Sequence, residues 1–342
     1  MKKTLAAILA ALMALSLCAC GNSTSSSSST APQANSSGNT SSGNAAEVEW
    51  PTEAITLVVP AKAGGGTDVH ARIAAEYFEK VTGQPLVIMN MPDGAGSVGY
   101  EEVRNAKPDG LTLMWYHPSL FVSYYTHTYN YSPIENFTPI VSMSKSDGNC
   151  IVVPASSPYQ TLDDLVSAAQ ENPETIIAGI QTGSQAQFMI ELLQLDGNCK
   201  FKCVDAGTDA ERVTAVLGEQ VDVTVFSATN ARTYEESGDV RILAITGAER
   251  SQFYPDWPTA VEQGYERVSL TFHHVIYGPL NMDPAMVEKI NEIFAGIEDD
   301  ADANKKINDI GCTYKCYDVA GTYEVIKGQD ETMKTIAELL GY

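Results

Sequence analysis

Between residues 52 and 340 the chain alternates short apolar runs with longer amphipathic stretches. Ala54-Ile55-Thr56-Leu57-Val58-Val59-Pro60 has the length and β-branched content of a buried strand, and it runs into Gly64-Gly65-Gly66-Thr67-Asp68. The next stretch sets Val69, Ile73, Tyr77 and Val81 on one helical face and stops at Gly83, where a residue free to turn left-handed ends a helix. On that phase His70, beside Arg72, falls on the surface. Residues 85–89 read as a second strand, 90–96 as a turn, 100–106 as a helix and 111–116 as a third strand after Lys107-Pro108-Asp109-Gly110.

After a less regular stretch the rhythm resumes. Residues 150–153 form a strand, and 162–170 a helix opened by Thr161 with Asp164 three residues later, close to a capping box. Residues 176–180 lead into Thr182-Gly183-Ser184 and a helix through Leu193; 201–204 lead into Gly207-Thr208-Asp209 and a helix carrying Val213, Val216 and Leu217. Residues 221–226 end at Ser227-Ala228-Thr229, and 241–245 form a further strand. Strand, glycine turn, helix, strand predicts an α/β fold of mainly parallel sheet with helices on both faces. In such a sheet these junctions share the carboxyl edge of the strands, where ligands bind. Free N–H groups and the helix dipole make that edge an anion site without any lysine.

The N-terminus changes the picture of where this fold works. Lys2 and Lys3 precede an apolar run from Leu5 to Leu17, which ends in Leu17-Cys18-Ala19-Cys20-Gly21. This is the pattern of an export signal, too short for a comfortable membrane span. It resembles a bacterial lipobox, with Cys20 better placed than Cys18 to become the lipidated N-terminus. Residues 21–46 are Ser, Thr, Asn, Gly and Ala with almost no large apolar group, so they are expected to form a flexible tether. The alternative is an ordinary secretory signal. No later apolar run reaches transmembrane length. The expected location is the extracytoplasmic face of the cell membrane, held by lipid.

Charge sharpens the exclusions. The formal net charge is -22, and removing Lys2 and Lys3 with the signal brings it to about -24, a field that opposes nonspecific nucleic-acid binding. Seven cysteines occur, five of them (Cys150, Cys199, Cys203, Cys312 and Cys316) in the folded part. The 199/203 and 312/316 pairs sit in strand-like stretches, where a four-residue offset spans about 13 Å, too far for a local disulfide or a shared tetrahedral ion. Buried free thiols or one cross-strand bridge remain as readings. Gly64-Gly65-Gly66-Thr67-Asp68 lacks the Gly-Lys-Ser/Thr of a phosphate loop, and Gly94-Ala95-Gly96-Ser97-Val98-Gly99 has no well-placed ribose-binding acid after it. His70, His117, His127, His273 and His274 form no metal spacing and neighbour no nucleophile turn; His273-His274 either faces a cleft or is structural. No constellation supports catalysis, so the chain reads as a non-enzyme that takes no cofactor and no metal.

In order along the chain, these residues resemble the Bug family, the solute receptors of tripartite tricarboxylate transporters. The first block is Val59-Pro60-Ala61-Lys62-Ala63-Gly64-Gly65-Gly66-Thr67-Asp68-Val69 with Arg72; the second is Thr82-Gly83-Gln84-Pro85-Leu86-Val87, Asn90 and the Gly94 turn. Pro108-Asp109-Gly110-Leu111-Thr112-Leu113, Thr182-Gly183-Ser184, the Gly207 turn and Leu217-Gly218-Glu219-Gln220-Val221-Asp222 follow. The most distinctive string is Arg241-Ile242-Leu243-Ala244-Ile245-Thr246 with Glu249-Arg250, then Pro255-Asp256-Trp257-Pro258-Thr259 and Glu262-Gln263-Gly264. The resemblance implies a two-lobed type II periplasmic binding protein that closes around its ligand like a flytrap. Lobe 1 would be residues 47–150 plus 247–342 and lobe 2 residues 151–246, with crossings near Cys150 and Thr246.

It also implies ligand contacts. The family holds carboxylates largely through backbone N–H groups and ordered water from the loops of both lobes. Carried over, the positions are Ala63, Gly64, Gly65, Gly66, Thr67 and Asp68 in the first loop and Gly94, Ala95, Gly96 and Ser97 in the second. On the other lobe they are Thr182, Gly183 and Ser184, then Asp205 and Gly207, then Ser227, Ala228 and Thr229. Departures bear on the ligand: Asp205 stands where an aromatic is common, Gln187 where His is frequent, and Lys62 replaces a small residue. A carboxylate at Asp205 would repel an acid group unless it points away or the ligand is also cationic. An amino-acid-like carboxylate therefore ranks with a di- or tricarboxylate. Asp68 is expected to cap the first helix. The implied partners are the ligand and the transporter's membrane subunits, with the receptor a monomer. The rivals are a sensory lipoprotein of the same fold and an exported enzyme.

Overall fold

The structure, a computed structural model, describes residues 49–342. The export signal (1–20) with Cys20 and the linker (21–46) lie outside the described residues. Strand β1 (Ile55–Val59) leads to helix α1 (Gly66–Thr82), β2 (Leu86–Asn90), α2 (Ser97–Arg104) and β3 (Thr112–Tyr116). Helices α3 (Ser119–Tyr125) and α4 (Pro133–Asn136) precede the long strand β4 (Phe137–Ser146). The chain then passes through Asp147-Gly148 into β5 (Asn149–Pro154), α5 (Leu162–Glu171), β6 (Ile177–Ile180), α6 (Gln185–Asp196), β7 (Lys202–Asp205), α7 (Asp209–Leu217), β8 (Val223–Ser227), α8 (Ala228–Glu236) and β9 (Val240–Ile245). It returns over residues 246–271 to β10 (Phe272–Pro279), α9 (Pro284–Ala295), α10 (Ala301–Asp309), β11 (Cys312–Tyr314) and α11 (Val319–Leu340).

Two sheets result, ordered β11-β4-β10-β3-β1-β2 and β7-β6-β8-β5-β9. Parallel pairing holds for β1 with β2 and β3, and for β6 with β7 and β8. The other pairings, through β4, β5, β9, β10 and β11, are antiparallel. The sheets are thus more mixed than the βαβ rhythm alone implies. Strands that enter a sheet from its neighbour arrive without a crossover helix, so nothing forces them parallel. The two passages between sheets are bonded to one another: the Asn149 amide donates to Thr246 Oγ1 at 2.9 Å and the Thr246 amide to the Asn149 carbonyl at 2.8 Å.

Apolar clusters fill the space behind each sheet, and a further cluster joins them, with Phe121 of α3 and Phe188 of α6 both fully buried in it. Helix α1 ends where expected, with Gly83 at φ 71° and its amide on the Glu79 carbonyl. Its buried face differs from the predicted one. Ile73 and Tyr77 are buried, but so are His70, Ala71, Ala74 and Phe78, while Val81 is half exposed. The stripe is rotated so that His70 faces inward, correcting its surface placement. At α5 the predicted box is complete, Thr161 accepting from the Asp164 amide and Asp164 from the Thr161 amide.

All five cysteines of the described residues are free. Cys150, Cys199 and Cys312 are buried and Cys316 half-buried, but Cys203 is exposed on the edge strand β7. No helix among the described residues is long and apolar enough to cross a membrane.

Candidate functional site

Four strands, β1, β6, β7 and β8, run into the helices α1, α6, α7 and α8. The helix starts converge. Gly66 and Thr67, Ser184 and Gln185, Thr208 and Asp209, and Ser227, Ala228 and Thr229 all line one cavity between the two sheets, with a free volume of about 70 Å³. The facing wall comes from β1, α1, β3–α3 and β10: Pro60, His70, Tyr116, His117, Ser119, Phe272 and His274.

The main-chain amides of these starts are largely engaged by the protein's own side chains. The Gly64 amide donates to Asp68 Oδ2 at 3.0 Å and the Gly66 amide to Asp209 Oδ2 at 3.2 Å. The Thr182 and Gly207 amides donate to the two oxygens of Asp205, at 3.1 and 2.9 Å. Gly183 donates to Gln187 Oε1 at 2.8 Å, and Ser227 donates from its amide to Asp209 Oδ1 at 3.1 Å. Acids take up most of these donors, Asp68 from within its own helix and Asp205 and Asp209 from neighbouring elements, satisfying amides that would otherwise be orphaned. This corrects the expectation that the amides of Gly64, Gly66, Thr182, Gly183, Gly207 and Ser227 stand open for a ligand.

Two loops also sit differently from their assignment. The Gly94 turn (Gly94, Ala95, Gly96 and Ser97) lies outside the cavity, behind Pro60. Its amides are used internally: Gly96 donates to the Pro92 carbonyl at 3.0 Å and Val98 to that of Asp93 at 3.3 Å. Gly96 holds φ 93°, and a Cβ there would lie 2.8 Å from the Tyr100 hydroxyl, so a substitution tests folding and not ligand contact. Asp205 is exposed and absent from the cavity wall, its carboxylate turned onto the Thr182 and Gly207 amides. Burial would raise its pKa, but those bonds, with Arg212 nearby, hold it lowered. The side chain points away, and the repulsion argument built on Asp205 falls. Ala63, Gly64, Gly65, Asp68, Thr182, Gly183 and Gly207 likewise frame the cavity without lining it.

Asp68 secures the first loop from the third helical position and not from the cap itself, which is Gly65. It accepts from the Gly64 amide, from Arg72 through both oxygens at 2.9 Å, and from Asn90 at 2.9 Å. Burial opposes its ionisation, and these bonds more than offset that, leaving its pKa lowered. Lys62 pairs with Glu211 of α7, a half-exposed contact worth about 1 kcal/mol or less.

Six residues inside the cavity that were not among the expected ligand contacts carry its polar chemistry, and one of them, His274, already stood as a candidate to face a cleft. Asp209, the first residue of α7, accepts from the Gly66 and Ser227 amides, from Ser227 Oγ at 2.9 Å and from Asn230 Nδ2 at 2.7 Å. It ties three helix starts together. Arg212, one turn on and 6 % exposed, donates from Nε to the Val225 carbonyl at 3.0 Å and from Nη1 to that of Gly207 at 2.8 Å. Gln185 is 2 % exposed, and neither its amide oxygen nor its nitrogen has a partner. His70, His117 and His274 are buried together: the Nδ1 atoms of His70 and His274 are 3.2 Å apart, and His274 Nδ1 is 3.0 Å from Ser144 Oγ. Burial depresses their pKa values, to about 4 for His70, to about 3 for His117 and well down for His274. At neutral pH the rings are uncharged, so Arg212 and Asp209 set the charge of the cavity. A signal for Arg212 exists in the sequence: it shares the buried stripe of α7 with Val213 and Val216, where an unpaired cation would not settle.

The chain matches the family model of the tripartite tricarboxylate transporter family receptor over residues 70–341. It is 27 % identical over 246 residues to the protein BugT of Bordetella pertussis, covering 71 % of this chain and 75 % of BugT. Among solved structures it resembles Rpa4515 of R. palustris with adipate, at TM-score 0.81 and 24 % identity, covering 86 % of this chain and 99 % of that one. It also resembles MatC of Rhodopseudomonas palustris with bound malate, at TM-score 0.77 and 22 % identity, covering 84 % and 100 %. At such identities the structural likeness establishes the shared fold.

Proposed function

We propose that this chain, which belongs to the tripartite tricarboxylate transporter receptor family, captures a small organic carboxylate between its two sheets and delivers it to the membrane subunits of a transporter. The observation that carries this reading is the single cavity at four converging helix starts, floored by a buried guanidinium. Such a site attracts an anion through local donors in spite of the acidic surface. The two sheets serve as the cores of lobes that part to admit the ligand and close on it. Proteins of the same fold with bound adipate and malate support the ligand class. The positions retained as ligand contacts are those on the wall: Gly66, Thr67, Ser184, Ser227, Ala228 and Thr229.

Closure depends on a close approach that only glycine permits. A Cβ on Gly66 would sit 2.6 Å from Ser227 Cβ and 2.7 Å from its Oγ, on the opposite sheet's edge. Gly66→Ala is expected to keep the lobes apart and weaken carboxylate affinity about tenfold, since overpacking costs roughly 1–3 kcal/mol. The unfolding midpoint should hold or rise, because alanine favours the helix. Calorimetric titration of the purified protein with malate, adipate, succinate and glutamate tests both ideas. No binding of any of these acids would remove the receptor reading; unchanged affinity in Gly66→Ala would remove the role of this contact in closure.

The anchor belongs to the same proposal. Cys20 would carry the lipid that holds the receptor at the membrane surface. Cys20→Ser is expected to abolish palmitate incorporation and release the protein from the membrane fraction. Continued labelling of that variant would move the anchor elsewhere.

A further inference from the structure

Within the cavity, the guanidinium of Arg212 is incompletely matched. Of its five N–H donors, two meet the carbonyls of Val225 and Gly207. The nearest carboxylate oxygen, Asp209 Oδ1, stands 3.5 Å from Nη2, beyond a good hydrogen bond. That carboxylate already accepts from Gly66, Ser227 and Asn230, so its charge is spent largely on other donors. A buried cation with free N–H groups needs a further acceptor. Burial pushes the Arg212 pKa down, against the pull of Asp209 and Asp205. A second and independent observation lies on the same wall. Gln185 has an unpartnered carboxamide, while its backbone amide is held by Ser119 Oγ at 3.1 Å. His117 is its close neighbour, but no well-formed hydrogen bond joins them. A buried side chain whose NH2 and carbonyl oxygen are both free asks for a partner that can accept and donate.

We propose that Arg212 is the cationic anchor for one ligand carboxylate and that Gln185 reads a hydroxyl group beside it, so that the receptor prefers hydroxy acids to their plain alkyl counterparts. This rests on the carboxylate-receptor reading and narrows its substrate class. A hydroxyl both donates and accepts, and so satisfies the carboxamide on each side. The unsubstituted acid leaves the carboxamide unpaired in a dry site, which is the stronger form of discrimination. The anchor also departs from recognition by main-chain amides alone, because those amides are occupied here by the protein's own acids.

The test uses the purified protein and paired probes by calorimetry: malate against succinate for the hydroxyl, and glutamate against glutarate as the comparison in which an ammonium, which only donates, stands in its place. Wild type should bind malate about 30-fold more tightly than succinate, the weight of an unpaired buried polar group, with a smaller ratio for the glutamate pair. Gln185→Leu should erase the malate ratio and at the same time raise the unfolding midpoint, because an unsatisfied polar group is removed. Arg212→Gln should weaken every carboxylate by roughly 100-fold, with circular dichroism and cooperative unfolding verifying that it folds. Equal affinity for malate and succinate, or an undiminished ratio in Gln185→Leu, overturns the assignment of Gln185. Full affinity in Arg212→Gln overturns the anchor. Either result leaves the receptor reading standing, whereas failure of all four acids to bind wild type strikes that reading itself.

Discussion

Lowering the pH from 7 to 5 is expected to destabilise this protein by several kcal/mol, most of it before the bulk of its carboxylates protonate. The cause is the buried histidine group. His70, His117 and His273 have pKa values depressed by burial to about 4, 3 and 4, and His274 is pushed well down with them. Above pH 6.5 the folded and unfolded states both keep these rings neutral, and the full stability is present. Between 6.5 and about 4 the unfolded chain binds protons that the folded chain refuses, so stability falls as pH falls. At pH 5 each ring accounts for about 2 kcal/mol. The facing Nδ1 atoms of His70 and His274 prevent both rings from being cations, so these two titrate as a pair. The pair's mutual repulsion makes the folded state refuse both protons while the unfolded chain takes up two, so all four rings contribute and the combined loss is several kcal/mol. Denaturant unfolding at pH 7, 6 and 5 measures it, and proton uptake on unfolding should shrink in His117→Gln. A flat profile over that range would falsify the neutral-cluster account. Below about pH 4 a second loss is expected, because Asp68, Asp205 and Glu211 have lowered pKa values and their bonds disappear on protonation.

The replacement Asp209→Ala is expected to cost about 3 kcal/mol, comparable to breaking a buried ion pair. The side chain does two jobs at once. It is the nearest carboxylate to the buried Arg212, and it accepts from two amides, a hydroxyl and an asparagine. Alanine leaves a buried cation without its counter-charge and unties the starts of α1, α7 and α8. For a folded part of this size the unfolding midpoint should drop by roughly 5 °C. Asp209→Asn, which keeps acceptor capacity without charge, should recover part of the loss. A midpoint within 1 or 2 °C (about 0.5 kcal/mol) of wild type in Asp209→Ala would show that solvent or relaxation replaces these bonds.

Much of the local structure was legible before any coordinates. The Thr161/Asp164 box, the left-handed stop at Gly83 and the four strand-to-helix junctions follow from spacing of a few residues, where local energies decide. The errors share a different character. His70 was misplaced because both candidate phases of α1 carry apolar residues, and only packing against β10 and β11, which bring His274 and Cys312 to it, selects one. The Gly94 turn has the same composition as the loops that line the cavity, yet it follows β2 at the sheet's edge and packs behind Pro60.

Composition and periodicity by themselves determined an α/β chain whose strand ends open into helix starts, and the ordered blocks determined its family. Only the tertiary structure decided which starts share a cavity and which acceptors fill their amides. A helix-start amide takes the oxygen the fold brings nearest, and for Gly66 that oxygen belongs to Asp209, 143 residues away. Distance along the chain carries no record of such a meeting, because it is set by how two sheets pack and not by any local preference of the residues that meet.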